Sequence, residues 1–239
     1  MRNRKILLHI LCALLCLSIT DAMRADEAAT KKRPSVETLL AAIKSADPKG
    51  AEDRVVRDSA GKVIELKLSV RTLNKEVVTE LRNARDLEAL TVGCCIISIG
   101  KDLAPSLGEL PRLKALRMLG CGADALPKLP PKSLGKLRTL FISYQVVTPD
   151  IAGAIAALPN LEELEIQSQR KLTATNLAPL VDCPKLKTLN LSGSEAGEDL
   201  VDILVQMKGT LKSVDLRRTN VSQESLQQLR DAGISVRTK

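Results

Sequence analysis

Aromatic residues are nearly missing from this chain, with one Phe, one Tyr and no Trp among 239 residues. So few rings exclude a base-stacking platform for nucleic acid and leave any core to aliphatic side chains. Histidine occurs once, at His9, inside an N-terminal stretch whose removal is expected below. A mature chain without histidine excludes a Ser-His-Asp triad, a Cys-His dyad and any His-ligated metal. Phosphate-cradling glycine loops and metal-ligand spacings are missing as well. The paired carboxylates Glu163 and Glu165 are expected on an open sheet, without an enclosing pocket to set one apart from the other as acid and base. No catalytic constellation results, and neither enzyme activity nor a cofactor nor a metal is expected.

Long apolar runs are also scarce. The one from Ile6 to Ile19 has fourteen residues, too short to span a bilayer comfortably. Arg2, Arg4 and Lys5 precede it, and Thr20-Asp21-Ala22 follows, with small residues at the two positions a signal peptidase reads. This order describes a secretory signal peptide over residues 1–22, with an uncleaved anchor as the rival reading. Cys12 and Cys16 each follow Leu, where a lipidation site needs a small residue. The expectation is a secreted or periplasmic, cell-envelope protein with no stable membrane span after cleavage. Losing Arg2, Arg4, Lys5 and Asp21 takes 36 basic and 28 acidic residues to 33 and 27. The resulting net +6 favours solubility and a mild attraction to polyanions.

What the chain does have is leucine at fixed spacing. Leu186, Leu189 and Leu191 spell L-x-x-L-x-L, and the same spacing returns at Leu161/Leu164/Ile166, Leu137/Leu140/Ile142, Leu113/Leu116/Met118, Leu87/Leu90/Val92 and Val63/Leu66/Leu68 upstream. Leu211/Val214/Leu216 follows downstream, and the first positions lie 24, 26, 24, 24, 25 and 25 residues apart. Within each unit the last two apolar residues, two apart, share one face of a short strand. A single strand cannot bury that face alone, so units must stack and share a core. Between strands, Val77/Leu81/Ala84, Ile151/Ile155/Leu158 and Leu200/Leu204/Met207 fall at helical spacing, approached by Ser98, Thr148, Thr173 and Ser222 as capping residues. Leu126-Pro127-Lys128-Leu129-Pro130-Pro131 cannot form a regular helix, and Gly233 stops the last one ahead of a closing strand at Ile234 to Arg237.

These motifs resemble the leucine-rich-repeat family over roughly Lys62 to Lys239, in particular its cysteine-containing class and short secreted bacterial members. The resemblance implies an α/β solenoid, a right-handed horseshoe of about seven repeats. Ahead of it, residues 23–50 read as a flexible leader followed by a capping helix from Ser35 through Leu39, Leu40 and Ile43. The repeat domain covers 51–239 and opens on a β-hairpin turning at Asp58-Ser59-Ala60-Gly61. The ninth position of the unit, Asn or Cys in that family, holds Cys95 and Cys121 and then departs to Gln145, Gln169, Ser194 and Thr219, all able to bond the backbone. The resemblance implies free, packed thiols at Cys95 and Cys121, although a strand spacing of about 4.8 Å leaves a disulfide within reach. Cys183 matches Leu110, Leu134 and Leu158 and belongs to the core, while Cys94 has no obvious partner. The sequons Asn190-Leu191-Ser192 and Asn220-Val221-Ser222 arise from the repeat consensus itself.

The resemblance also implies binding on the concave sheet, where outward residues stand in a rigid array. Alternation puts Phe141 on that face towards solvent, next to Leu119, with Arg117 on one side and Glu163 and Glu165 on the other. This is a small apolar anchor with a charged rim, suited to a protein partner; isolated exposed apolar residues are also common without any role. A second row, Glu88, Lys114, Arg138, Glu162, Lys187 and Lys212, is four-sixths basic. Lys114, Arg138, Lys187 and Lys212 are the candidate rim for an anionic polysaccharide, or simply solvated lysines and arginines.

Overall fold

The computed structural model describes residues 35–49, 54–69, 71–93, 100–130, 132–170 and 172–238. The expected signal peptide and leader, Cys94, Cys95 and Ser98 lie outside them. From Val36 on, the described residues belong to one compact unit, Val36–Lys239, and none of the described helices is long and apolar enough to cross a membrane.

The strand spacing of the leucine motif translates directly into a single nine-stranded sheet in sequence order. Strand β1 (Val55–Arg57) pairs antiparallel with β2 (Val63–Leu68). Between them Asp58 Oδ1 accepts the amides of Ala60 and Lys62, and Gly61 takes the left-handed φ of +78° that closes the turn. From β2 onward every pairing is parallel, through β3 (Ala89–Gly93), β4 (Ala115–Leu119), β5 (Thr139–Ser143), β6 (Glu163–Gln167), β7 (Thr188–Asn190), β8 (Ser213–Asp215) and β9 (Ser235–Arg237). The motif residues pair like with like: Leu66, Leu90, Leu116, Leu140, Leu164, Leu189 and Val214 are mutual partners across seven strands. All of them are at most 2% exposed, so a one-residue slip of any strand would turn its whole apolar set to water.

The other wall of the core is helical. Helix α1 (Val36–Ala46) buries Leu39, Ala42 and Ile43. Helices α2 (Lys75–Glu80), α3 (Gly100–Gly108), α4 (Pro149–Ala156), α5 (Ala174–Leu177), α6 (Asp199–Gln206) and α7 (Gln223–Asp231) follow successive strands. Side chains start several of them as expected: Thr148 Oγ1 accepts from the Ile151 amide, Thr173 forms a capping box with Asn176, and Ser222 Oγ accepts from the Ser225 amide. After β4 the proline-containing segment Ala123–Lys128 is a 3-10 helix, because Pro127 lacks the amide a longer α-helix would require.

The ninth position carries the turn ladder. Gln145 accepts from the Ala123 amide at 2.8 Å and donates to the Met118 carbonyl at 3.1 Å. Ser194 Oγ accepts from the Gln169 amide and donates to the Ile166 carbonyl, and Thr219 Oγ1 donates to the Leu216 carbonyl. Cys121, at this same position, is disulfide-bonded. That corrects the implied free thiol at Cys121; Cys95 lies outside the described residues. The one other cysteine among the described residues, Cys183, is a buried free thiol. Burial, with the Asp182 charge second, pushes the Cys183 thiol up to about 12.

Candidate functional site

With helices along one face of the sheet, the opposite face is left for side chains at alternate strand positions. Pairing aligns them into rows. The central row runs Lys67, Thr91, Arg117 and Phe141 across β2 to β5, then Glu165, Asn190, Asp215 and Arg237 across β6 to β9. Beside it, Thr139, Glu163, Thr188, Ser213 and Ser235 are mutual partners.

Phe141 stands in the expected row but is not an exposed anchor. Its ring is 6% exposed, and it is absent from the core cluster that contains its strand neighbours Leu140 and Ile142. The guanidinium of Arg117, one strand away in register, sits 4.2 Å from the ring centroid. Alternation fixes which face a side chain takes, but a long neighbour can still lie across it. The solvent-facing expectation for Phe141 is therefore corrected: the ring is a floor on which Arg117 is held. Leu119 is half-buried alongside, paired with Ser143.

The C-terminal half of the face is more polar and contains an open hollow of about 260 Å³, lined by Glu163, Glu165, Thr188, Asn190, Ser213, Asp215, Ser235 and Arg237 among others. Glu165 Oε2 accepts from Gln167 Nε2 at 2.9 Å and from Asn190 Nδ2 at 3.3 Å. Thr139 Oγ1 reaches Glu163 Oε2 at 3.4 Å, and Thr188 shares a hydroxyl contact with Ser213. Asp215 is the buried acid of the hollow at 8% exposure. It accepts from the Arg217 amide and Nε, pairs with Arg217 Nη2 at 2.7 Å, and lies 3.8 Å from Arg237. Burial pushes its carboxyl upward, but the hydrogen bonds and charge of Arg217, with Arg237 behind, outweigh that and hold it below the usual range. Sequence reading did not single out this pair; the i, i+2 spacing of Asp215, at the end of β8, and Arg217, just beyond it, was the available signal.

The second row is not a basic stripe. Lys114 pairs with Glu88 at 2.8 Å, and Glu162 takes both Arg138 at 3.2 Å and Lys187 at 2.7 Å. The Glu162 carboxyl is held below its ordinary range, chiefly by its hydrogen bond to Lys187 and that residue's charge. Of the four candidate rim bases only Lys212 has no ion pair among the described residues. Unlike charges on adjacent strands cancel, so the rim offers an anionic polysaccharide little net charge.

Two residues that sequence reading passed over are the most exposed large apolar side chains among those described: Tyr144 at 76% and Val146 at 69%. They follow β5 in a turn that Gln145 ties to the preceding unit. Tyr144 has φ +55° at a unit position where Gly120 and Gly193 also take positive φ. The sole tyrosine standing where other units place glycine was the visible cue.

No protein-family model and no curated protein matches the sequence. Solved structures with some likeness include an internalin from Listeria monocytogenes, at 17% identity over 67% of this chain and 50% of that one, TM-score 0.42. TLR13 in its complex with ssRNA13 gives 20% identity over 78% of this chain and 24% of that one, TM-score 0.43. A Bacteroides fragilis protein gives 14% over 64% and 65%, TM-score 0.33. The chain spans half the length of the internalin and about a quarter of TLR13. Likenesses this distant carry no argument, and the repeat architecture stands on the chain's own register and burial.

Proposed function

We propose that this chain is a non-enzymatic leucine-rich-repeat protein of about seven repeats, exported to the periplasm, cell envelope or medium, that binds another protein through its concave sheet. The carrying observation is the open face itself: eight strands in parallel register hold Arg117, Glu165, Asn190 and Asp215 in one fixed row beside a hollow of about 260 Å³. A partner meets side chains already ordered by hydrogen bonds, which lowers the entropic cost of association. The apolar part of the contact falls to Leu119 and to the lip residues Tyr144 and Val146, with Phe141 supporting Arg117 from below. The basic-rim alternative receives no support from the pairing of Lys114, Arg138 and Lys187 with their own carboxylates.

The test is affinity capture from the native envelope and medium with the full exported chain as bait. Thr188 lies on the wall of the hollow, so Thr188→Tyr is expected to abolish capture of any specific partner while leaving the melting temperature unchanged. Undiminished capture by Thr188→Tyr and Leu119→Ser would overturn the reading.

A further inference from the structure

The carboxylates of the sheet are not treated alike. Glu65 is answered by Lys67 at 3.1 Å, Asp215 by Arg217 at 2.7 Å, and the flanking row residues Glu88 and Glu162 by Lys114 and Lys187. Glu163 and Glu165 alone among the described strand carboxylates have no cation. Supply is not the reason, since the chain carries 36 basic residues against 28 acidic ones. Both are nevertheless held in place, Glu165 by Gln167 and Asn190 and Glu163 by Thr139. They leave a fixed acidic pole in the hollow, two strands from Asp215, whose charge is already answered by Arg217.

We propose that the partner segment docking here is an extended strand carrying lysine or arginine at alternate positions, with Glu163 and Glu165 receiving two of those cations. This rests on the protein-binding reading above and specifies its chemistry. Glu163 and Glu165 are two apart on one strand face, about 7 Å along the strand, which is also the spacing of alternate side chains in an extended partner. Charge complementarity sets the sign: an acidic segment or a polyanion would meet two uncompensated carboxylates, and like charges brought together at an interface are strongly disfavoured. The hydroxyl and amide groups of Thr188, Asn190 and Ser213 in the same hollow are placed to hydrogen-bond the backbone of such a strand.

The experiment uses the full exported chain and a fluorescein-labelled peptide alternating Arg and Ser, followed by anisotropy, with a Glu-Ser peptide for comparison. Binding of the Arg-Ser peptide is expected, weakening as ionic strength rises past about 0.15 M, with none of the Glu-Ser peptide. The double variant Glu163→Gln/Glu165→Gln, which keeps size and hydrogen bonding, is expected to weaken it about tenfold, as for two partly exposed ion pairs. Glu88→Gln, which removes a carboxylate outside the hollow, is expected to leave it within about twofold. Equal binding by the double variant, or an equal loss in Glu88→Gln, overturns the proposal as non-specific attraction. If partner capture is still lost in Thr188→Tyr while the double variant captures normally, the cation chemistry falls and the concave-face reading stands.

Discussion

Arg117 and Phe141 illustrate what a residue's neighbours add to its position. The strand pattern put Phe141 on the open face, and it is there; only the coverage by Arg117, a side chain long enough to cross one strand spacing, was hidden from the sequence. Arg117→Ala removes the cation over the ring and leaves the apolar ring open to water. The expected cost is about 0.5–1 kcal/mol in denaturant unfolding, with increased binding of a hydrophobic dye. Asp215 carries the acid sensitivity of the same face. Its folded carboxyl titrates below the ordinary value, so unfolding takes up a proton in acid. The stabilisation is whole above about pH 3.9 and is lost as pH falls through the lower folded value. Asp215→Asn is expected to lower the melting temperature at neutral pH and to flatten its fall between about pH 5 and pH 2. An unchanged acid slope would assign that slope to Glu162 and Glu198, which are held low by Lys187 and by Ser225 respectively.

Each described unit combines a strand with a helical or 3-10 segment, and at Gln145, Gln169, Ser194 and Thr219 a side chain ties the turn to the unit beside it or to its own strand. In Gln145 this takes the form of two bonds, to the Ala123 amide and the Met118 carbonyl. Gln145→Ala leaves both groups without their partner and is expected to cost about 1–3 kcal/mol, measured by chemical denaturation. Thr219→Ala, which loses a single bond to the Leu216 carbonyl, is expected to cost about 1 kcal/mol. The units were legible because leucine spacing has a direct geometric meaning, and every motif position from Val63 to Leu216 is buried. The ninth position was legible as a hydrogen-bonding site, but its partners were not, since Gln145 reaches back into the preceding unit. The disulfide at Cys121 was left open for the same reason: spacing allowed it and could not require it. The second row shows a different failing. Its acids and bases were all in view, yet counting bases missed that Glu88 and Glu162 stand one strand from Lys114, Arg138 and Lys187.

Over the whole molecule these units make one continuous aliphatic core with polar residues arrayed on the face opposite the helices. Such an arrangement separates two tasks. The inward positions hold neighbouring units together, so substitutions there spread through adjacent interfaces. The outward positions are free to vary in chemistry, which is why periodicity reveals the face and says little about its ligand. The unpaired charges of the face are unevenly placed: Lys67 is matched by Glu65 and Asp215 by Arg217, while Arg117 lies over Phe141 towards the N-terminal side and Glu163 and Glu165 stand without a cation in the C-terminal half. For the proposed partner, that asymmetry would set an orientation as well as a location.

Site-specific photo-crosslinking in the native envelope tests the central claim most directly. A photoreactive residue at Thr188 or Ser213, on the open face, is compared with one at Asp202 or Lys208, exposed on and just after the helix behind the sheet. The account predicts one and the same crosslinked protein from Thr188 and Ser213 and none from Asp202 or Lys208. Adducts arising from the helical side, with the sheet positions silent, would contradict it.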